Sequence, residues 1–143
     1  MPAAESSIAA EMAFYAAFSN GNLEQMMRVW ADSATIFCIH PLGGVLLGHD
    51  KVRASWAEIF SAPVPRKLEI ERLQVIQLGD VAIHVVLETV VLPANYPRVM
   101  PIAAANTFRL LNGVWKMVIH HASPIGYVEP TISTQIEPPP TRH

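Results

Sequence analysis

The sequence predicts an α+β fold of three N-terminal helices packed on a curved antiparallel sheet. Two observations carry this. Apolar residues recur at helical spacing through residues 7–60, and residues 67–123 form two strand pairs closed by the tight-turn dipeptides Gly79-Asp80 and Asn112-Gly113. Helices that precede a run of antiparallel strands pack on one face of the sheet those strands form.

The first helix, residues 7–20, reads "SIAAEMAFYAAFSN" and aligns Ile8, Met12, Tyr15 and Phe18 along one stripe. Gly21 stops it, and Asn22 caps the next helix with Gln25 as its capping-box partner. That second helix, "LEQMMRVWA", turns Leu23, Met26, Met27 and Trp30 toward the core. "ATIFCIH" is a short buried strand ended by Pro41 and the turn "PLGG". "GHDKVRASWAEIF" is a third amphipathic helix with Val52, Trp56 and Ile59 or Phe60 inward, and the prolines of "SAPVPR" prevent its continuation. The remaining strands are expected at 67–78, 81–92, 102–111 and 114–123. From Ile125 the chain is proline-rich, so a single domain is expected over 1–124, followed by an extended tail over 125–143.

Composition narrows the function classes. Of the 143 residues, 51% are hydrophobic and only 15% charged, an apolar balance for a small domain. The excess apolar surface is expected to face a partner subunit or to line a cavity. A net charge of −2 with no basic cluster carries no nucleic-acid footprint. Cys38 is the lone cysteine, so no internal disulfide forms. The N-terminus lacks a signal-peptide pattern, and no apolar run is long enough for a membrane helix, which leads to the expectation of a cytoplasmic protein without membrane contact.

Hairpin parity assigns the faces. A two-residue turn at Asn112-Gly113 sets Leu111 opposite Val114. It then places Ile102, Ala104, Asn106, Phe108 and Leu110 on one face with Trp115, Met117, Ile119, His121 and Ser123. Arg109 and Lys116 mark the other face as outward. His121 is thus expected inside and His120 outside, unless a bulge between Val118 and His120 exchanges them. In the first pair, Leu78 opposite Val81 puts His84 and Glu88 on the buried face, with a bulge near Glu71-Arg72 restoring Leu68 and Ile70 to it. The expected interior therefore holds His84, Glu88, Asn106 and His121, with His40 possible at the end of the first strand. Burying so many polar groups is costly unless they pair with each other, with water or with a ligand.

The stretches "AFYAAFSNGNLEQMMRVWADSATIFCIHP", "GHDKVRASWAEIF" and "NTFRLLNGVWKMVIHHASP", with the order of helices and strands, resemble the SnoaL-like branch of the nuclear-transport-factor-2-like (NTF2-like) superfamily over residues 8 to 124. The resemblance implies a cone in which a curved sheet and helices enclose an apolar pocket, and a homodimer through the outer sheet face. Family members include steroid isomerases, dehydratases, polyketide cyclases, epoxide hydrolases and non-catalytic kinase association domains. In the steroid isomerases the general base is an aspartate before a proline, a position that "IHP" fills with His40. Their oxyanion acid stands two residues before a Phe-Arg pair, where "NTFR" supplies Asn106. Their oxyanion tyrosine falls on Phe14, one residue from Tyr15. The Asp-Arg-Asp arrangement of the epoxide hydrolases is not assembled by this interior.

These readings converge on a pocket for a hydrophobic small molecule, with cofactor-independent acid–base chemistry as one function. His40 or His121 would be the base, because a desolvated imidazole stays neutral near pH 7, and Asn106 would orient a carbonyl or oxyanion. His84, Glu88, Trp56, Tyr15, Phe14 and Trp115 are the expected ligand-binding residues, the tryptophans serving equally as core packing. No compact His spacing supports a metal site. A non-catalytic association module and a small-molecule carrier remain open beside the enzyme reading.

Overall fold

The computed structural model describes residues 4–63, 67–91 and 101–129. Three helices pack on a curved, six-stranded mixed sheet. The elements are α1 (Ser7–Asn20), α2 (Leu23–Val29), β1 (Phe37–Ile39), β2 (Val45–Leu47), α3 (His49–Ser61), β3 (Leu68–Leu78), β4 (Val81–Val90), β5 (Ile102–Leu111) and β6 (Val114–Pro124). Most of the proline-rich tail lies outside the described residues. No helix among those described is long and apolar enough to cross a membrane.

Local chemistry explains the helix ends. Ser6 Oγ accepts from the Ala9 amide at 3.0 Å to start α1. Gly21, at φ 61°, ends it by donating to the Phe18 carbonyl, while Asn22 donates to that of Ala17. Asn22 Oδ1 then caps α2 through the Gln25 amide at 3.0 Å. The expected capping box is only half formed, because the Gln25 side chain accepts from Asn20 Nδ2 instead.

The strands run in the order β2-β1-β6-β5-β4-β3. Two features differ from expectation. β1 lies parallel to β6, so the sheet is mixed, and the three-residue β2 pairs with β1 at the edge beyond the "PLGG" turn. Both long hairpins close where the dipeptides predict, with positive φ at Gly79, Asn112 and Gly113.

The core fills the space between the helices and the inner sheet face. Phe14, Met26, Trp30, Ile36, Phe108 and Met117 are almost fully buried there. The expected stripe on α1 is corrected by rotation about the helix axis. Ile8 is 41% and Met12 63% exposed, whereas Ser7, Ala10, Glu11, Phe14, Tyr15 and Ala17 are buried. Apolar residues surround this helix on all sides, so periodicity alone does not choose its inner face; the sheet's partners for Glu11 do.

Candidate functional site

Two β-bulges decide which polar side chains enter the interior. In the β3–β4 pair the register shifts between Arg72 and Gln74, so Leu73 is the extra residue and Arg72 joins Leu68 and Ile70 on the inner face. In the β5–β6 pair Phe108 faces Met117 but Thr107 faces Ile119, leaving Val118 as the extra residue. Past Val118 the parity reverses. His120, opposite Asn106, is inward and 3% exposed, and His121, opposite Ala105, is exposed on the outer face. The expectation that His121 faces the pocket is therefore corrected, and so is the placement of His120 on the surface. The physical gain is a partner: Asn106 Oδ1 accepts from His120 Nδ1 at 2.6 Å, where the unbulged register would set Ile119 beside Asn106.

A buried polar network runs across the inner face. Glu11 Oε1 accepts from Arg72 Nε at 2.6 Å, and Oε2 accepts from Asn106 Nδ2 at 2.8 Å. Asn106 Nδ2 also donates to the Tyr15 hydroxyl at 3.0 Å, and that hydroxyl donates to Glu88 Oε2 at 2.6 Å. His84 Nε2 lies 3.0 Å from Ser7 Oγ, while its Nδ1 is 3.0 Å from Glu11 Oε1 but outside hydrogen-bonding geometry. Counting donors fixes two tautomers. Both protons of the Asn106 amide are used, so its oxygen must accept and His120 carries its proton on Nδ1, leaving Nε2 as a free acceptor. Ser55 Oγ donates to the Val52 carbonyl, so it accepts from His40 Nε2 at 2.9 Å, and His40 Nδ1 is left unprotonated.

Beside this network lies a cavity of about 170 Å³. Among the described residues its aromatic wall consists of Phe14, Tyr15, Phe18 and Trp56, its polar wall of His40, Glu88 and His120, and Pro41, Ile59, Leu68, Val90 and Ile102 add apolar lining. Adjacent aromatic rings meet edge to face: Phe14 with Tyr15 at 79°, Phe14 with Trp56 at 80° and Phe18 with Trp56 at 77°. Trp56 Nε1–H is buried and has no partner among the described residues.

Of the residues expected at the site, Phe14, Tyr15, His40, Trp56 and Glu88 line the cavity. Asn106 stands directly behind it, bonded to Tyr15 and His120. His84 does not reach it and belongs to the Glu11 end of the network. Trp115 is buried opposite Leu110 near the far hairpin, away from the cavity. Sequence reasoning missed Glu11, Arg72, Phe18 and His120. A lone glutamate amid the apolar residues of α1 was the available signal, since a buried carboxylate demands partners.

Burial sets the electrostatics. Desolvation pushes the Glu88 carboxyl up to about 7; the Tyr15 hydrogen bond opposes this rise and the Glu11 charge adds to it. Burial, with the Glu88 charge, raises the Tyr15 hydroxyl well above its ordinary value. His120 is driven down to about 3 by burial and by the neighbouring His40 and His121, and burial also lowers His40. Burial and the Glu88 charge push the Cys38 thiol up to about 12, so it is no nucleophile despite lying 3.6 Å from His40 Nε2. The assembly thus offers a carboxyl poised near neutrality and two neutral imidazoles beside an aromatic space. Among the described residues no cluster of three or more His, Cys, Asp or Glu side chains could hold a metal ion.

Residues 9–127 match the profile of the SnoaL-like domain family. Among solved structures, a Thiobacillus denitrificans protein with the provisional name of a calcium/calmodulin-dependent protein kinase type II association domain is 36% identical, with a TM-score of 0.82 over 88% of this chain and 100% of that one. A Streptomyces avermitilis protein of the NTF2-like family, provisionally named a dehydratase, is 29% identical with a TM-score of 0.71 over 81% and 91% of the two chains. The F-box protein SKIP8 of Arabidopsis thaliana is 26% identical over 110 residues, 77% of this chain. The match spans 46% of the length of that curated relative.

Proposed function

The chain belongs to the SnoaL-like domain family, and from that premise we propose that its cavity takes a small, largely apolar molecule and exchanges a proton with it at Glu88. The observation that carries this reading is the Glu88 carboxyl itself. It faces an aromatic wall, holds a 2.6 Å hydrogen bond from Tyr15, and forms no ion pair among the described residues. A carboxyl raised to about 7 is balanced between giving and taking a proton at neutral pH. A cavity of about 150 Å³ admits a benzene-sized ring, so the 170 Å³ here suits a single ring or a short branched chain.

The surrounding groups divide the remaining work. His120 Nε2 and His40 Nδ1 are further acceptors. Asn106 positions His120 rather than meeting the ligand. Proton transfer of this kind serves isomerase, dehydratase or hydrolase chemistry and calls for no resident cofactor.

The test is deuterium exchange at the α-carbons of cyclohexanone in D₂O, followed by proton NMR. The protein should accelerate exchange over buffer with an apparent pKa near 7, and Glu88→Gln should abolish the acceleration. No acceleration, or acceleration that survives Glu88→Gln, overturns the reading.

A second reading, self-association into a homodimer, draws on the outer sheet face. Ile83, Val85, Leu87, Ala103 and Ala105 are only half-buried there, around a shallow depression rimmed by His121 and Ser123. The neighbour named as a kinase association domain supports it as well. Light scattering at micromolar concentration should give twice 15.7 kDa, falling to 15.7 kDa in Val85→Glu. A wild-type mass of 15.7 kDa would contradict the dimer.

A further inference from the structure

We propose that the cavity selects a small organic cation, a protonated amine on a single ring or short chain, seated between the Glu88 carboxylate and the aromatic wall. This rests on the reading of the cavity as a ligand site and adds the charge class of the ligand. The first observation is an imbalance of charge. Glu88 is 8% exposed, and among the described residues no Lys or Arg lines the cavity. Arg72, the basic side chain that reaches the inner face from β3, is committed to Glu11 at 2.6 Å. The two imidazoles in the wall do not supply the missing charge, since burial keeps both neutral and their protons go to Asn106 and Ser55.

The second observation is the wall opposite. Phe14, Tyr15, Phe18 and Trp56 meet edge to face, so the lining turns corners rather than forming one flat stack. Rings arranged in this way around a carboxylate are what an ammonium group needs when it leaves water, because π faces and a counter-ion replace its hydration. A neutral ligand of the same shape gains only the apolar burial. The free acceptors, His120 Nε2 and the second Glu88 oxygen, also match the several N–H donors of an ammonium group.

Tyr15 and Glu11 on α1 act on Glu88 directly, Cys38 on β1 feels its charge, His40 just beyond β1 and His120 on β6 share its cavity, and Arg72 on β3 pairs with Glu11. Arg72 being taken by Glu11, an entering cation is what would keep Glu88 ionised among the described residues.

Calorimetric titration of the full chain with cyclohexylamine and cyclohexanol at pH 8 and pH 6 tests this. At pH 8 the amine should bind more than about tenfold tighter than the alcohol. Its advantage should shrink severalfold at pH 6, where binding must first expel the Glu88 proton, and Glu88→Gln should remove it. Should Glu88→Gln fail to fold, the pH dependence of the wild-type chain decides alone. Cyclohexanol binding as tightly as the amine at pH 8 overturns the cation and leaves the ligand site standing. Binding of neither compound overturns both.

Discussion

Asn106 and His120 face each other across β5 and β6 and share a 2.6 Å hydrogen bond that exists because Val118 is looped out of register. The one-residue bulge gives adjacent histidines opposite fates. His120 is a neutral, buried acceptor beside a cavity, and His121 is a solvated side chain on the outer face.

The first prediction follows from that contrast. His120→Ala empties a packed position against Phe14 and leaves Asn106 Oδ1 without its donor. The combined cavity and lost hydrogen bond should cost about 2 to 4 kcal/mol. His121→Ala should change stability by less than about 0.5 kcal/mol, as at other exposed positions. Urea denaturation of the two variants measures both, and the reverse order would place His121 inside.

Glu11 anchors the network. Glu11→Ala strands Arg72, orphans one proton of the Asn106 amide and leaves a void between α1 and the sheet. Breaking a buried ion pair costs about 3 to 5 kcal/mol. The Arg72 side chain is 27% exposed and can turn toward water, so the lower end of that range is expected. A loss below about 1 kcal/mol in denaturant unfolding would contradict the structural role given to Glu11.

Stability against pH should be nearly flat between about pH 4.5 and 6.5, because two groups oppose each other there. Glu88, raised from 4.5 to about 7, holds its proton in the folded chain and loses it in the unfolded one, so its contribution falls as pH rises through that window. His120, lowered from 6.5 to about 3, is neutral when folded and protonated when unfolded, so its contribution rises over the same window. Glu88→Gln removes the falling part. The variant should therefore gain about 2 to 3 kcal/mol between pH 4.5 and 6.5, at about 1.4 kcal/mol per pH unit. Below pH 4.5 the wild type should lose stability down to about pH 3, because His120 takes up its proton only on unfolding. A variant profile as flat as the wild type would contradict the opposition.

Much of this fold is legible in the sequence because its hairpin corners are chemically specific. Asn112-Gly113 and Gly79-Asp80 require positive φ, and the paired strands beside them begin within a residue of expectation. The interior places of Glu88, His84 and Asn106 follow from parity on the stretches before any bulge intervenes. Parity fails beyond Val118, since a period of two cannot locate an extra residue when apolar side chains occupy both faces, as Val118 and Ile119 do. The edge strand β2 is too short for a pattern to register. α1 hides its buried face because apolar residues ring it completely, and the choice depends on Arg72 and Asn106, which are 61 and 95 positions away from Glu11. His40 and Trp56 come to one cavity with Tyr15 through packing that no local spacing records.

The most direct measurement is a carbon-13 titration of the Glu88 carboxyl from pH 4 to 9, assigned against Glu88→Gln. Proton exchange at a desolvated, unpaired carboxyl predicts a midpoint near 7. A midpoint near the ordinary value of 4.5 would show a solvated or ion-paired glutamate and would contradict the chemistry proposed for the cavity.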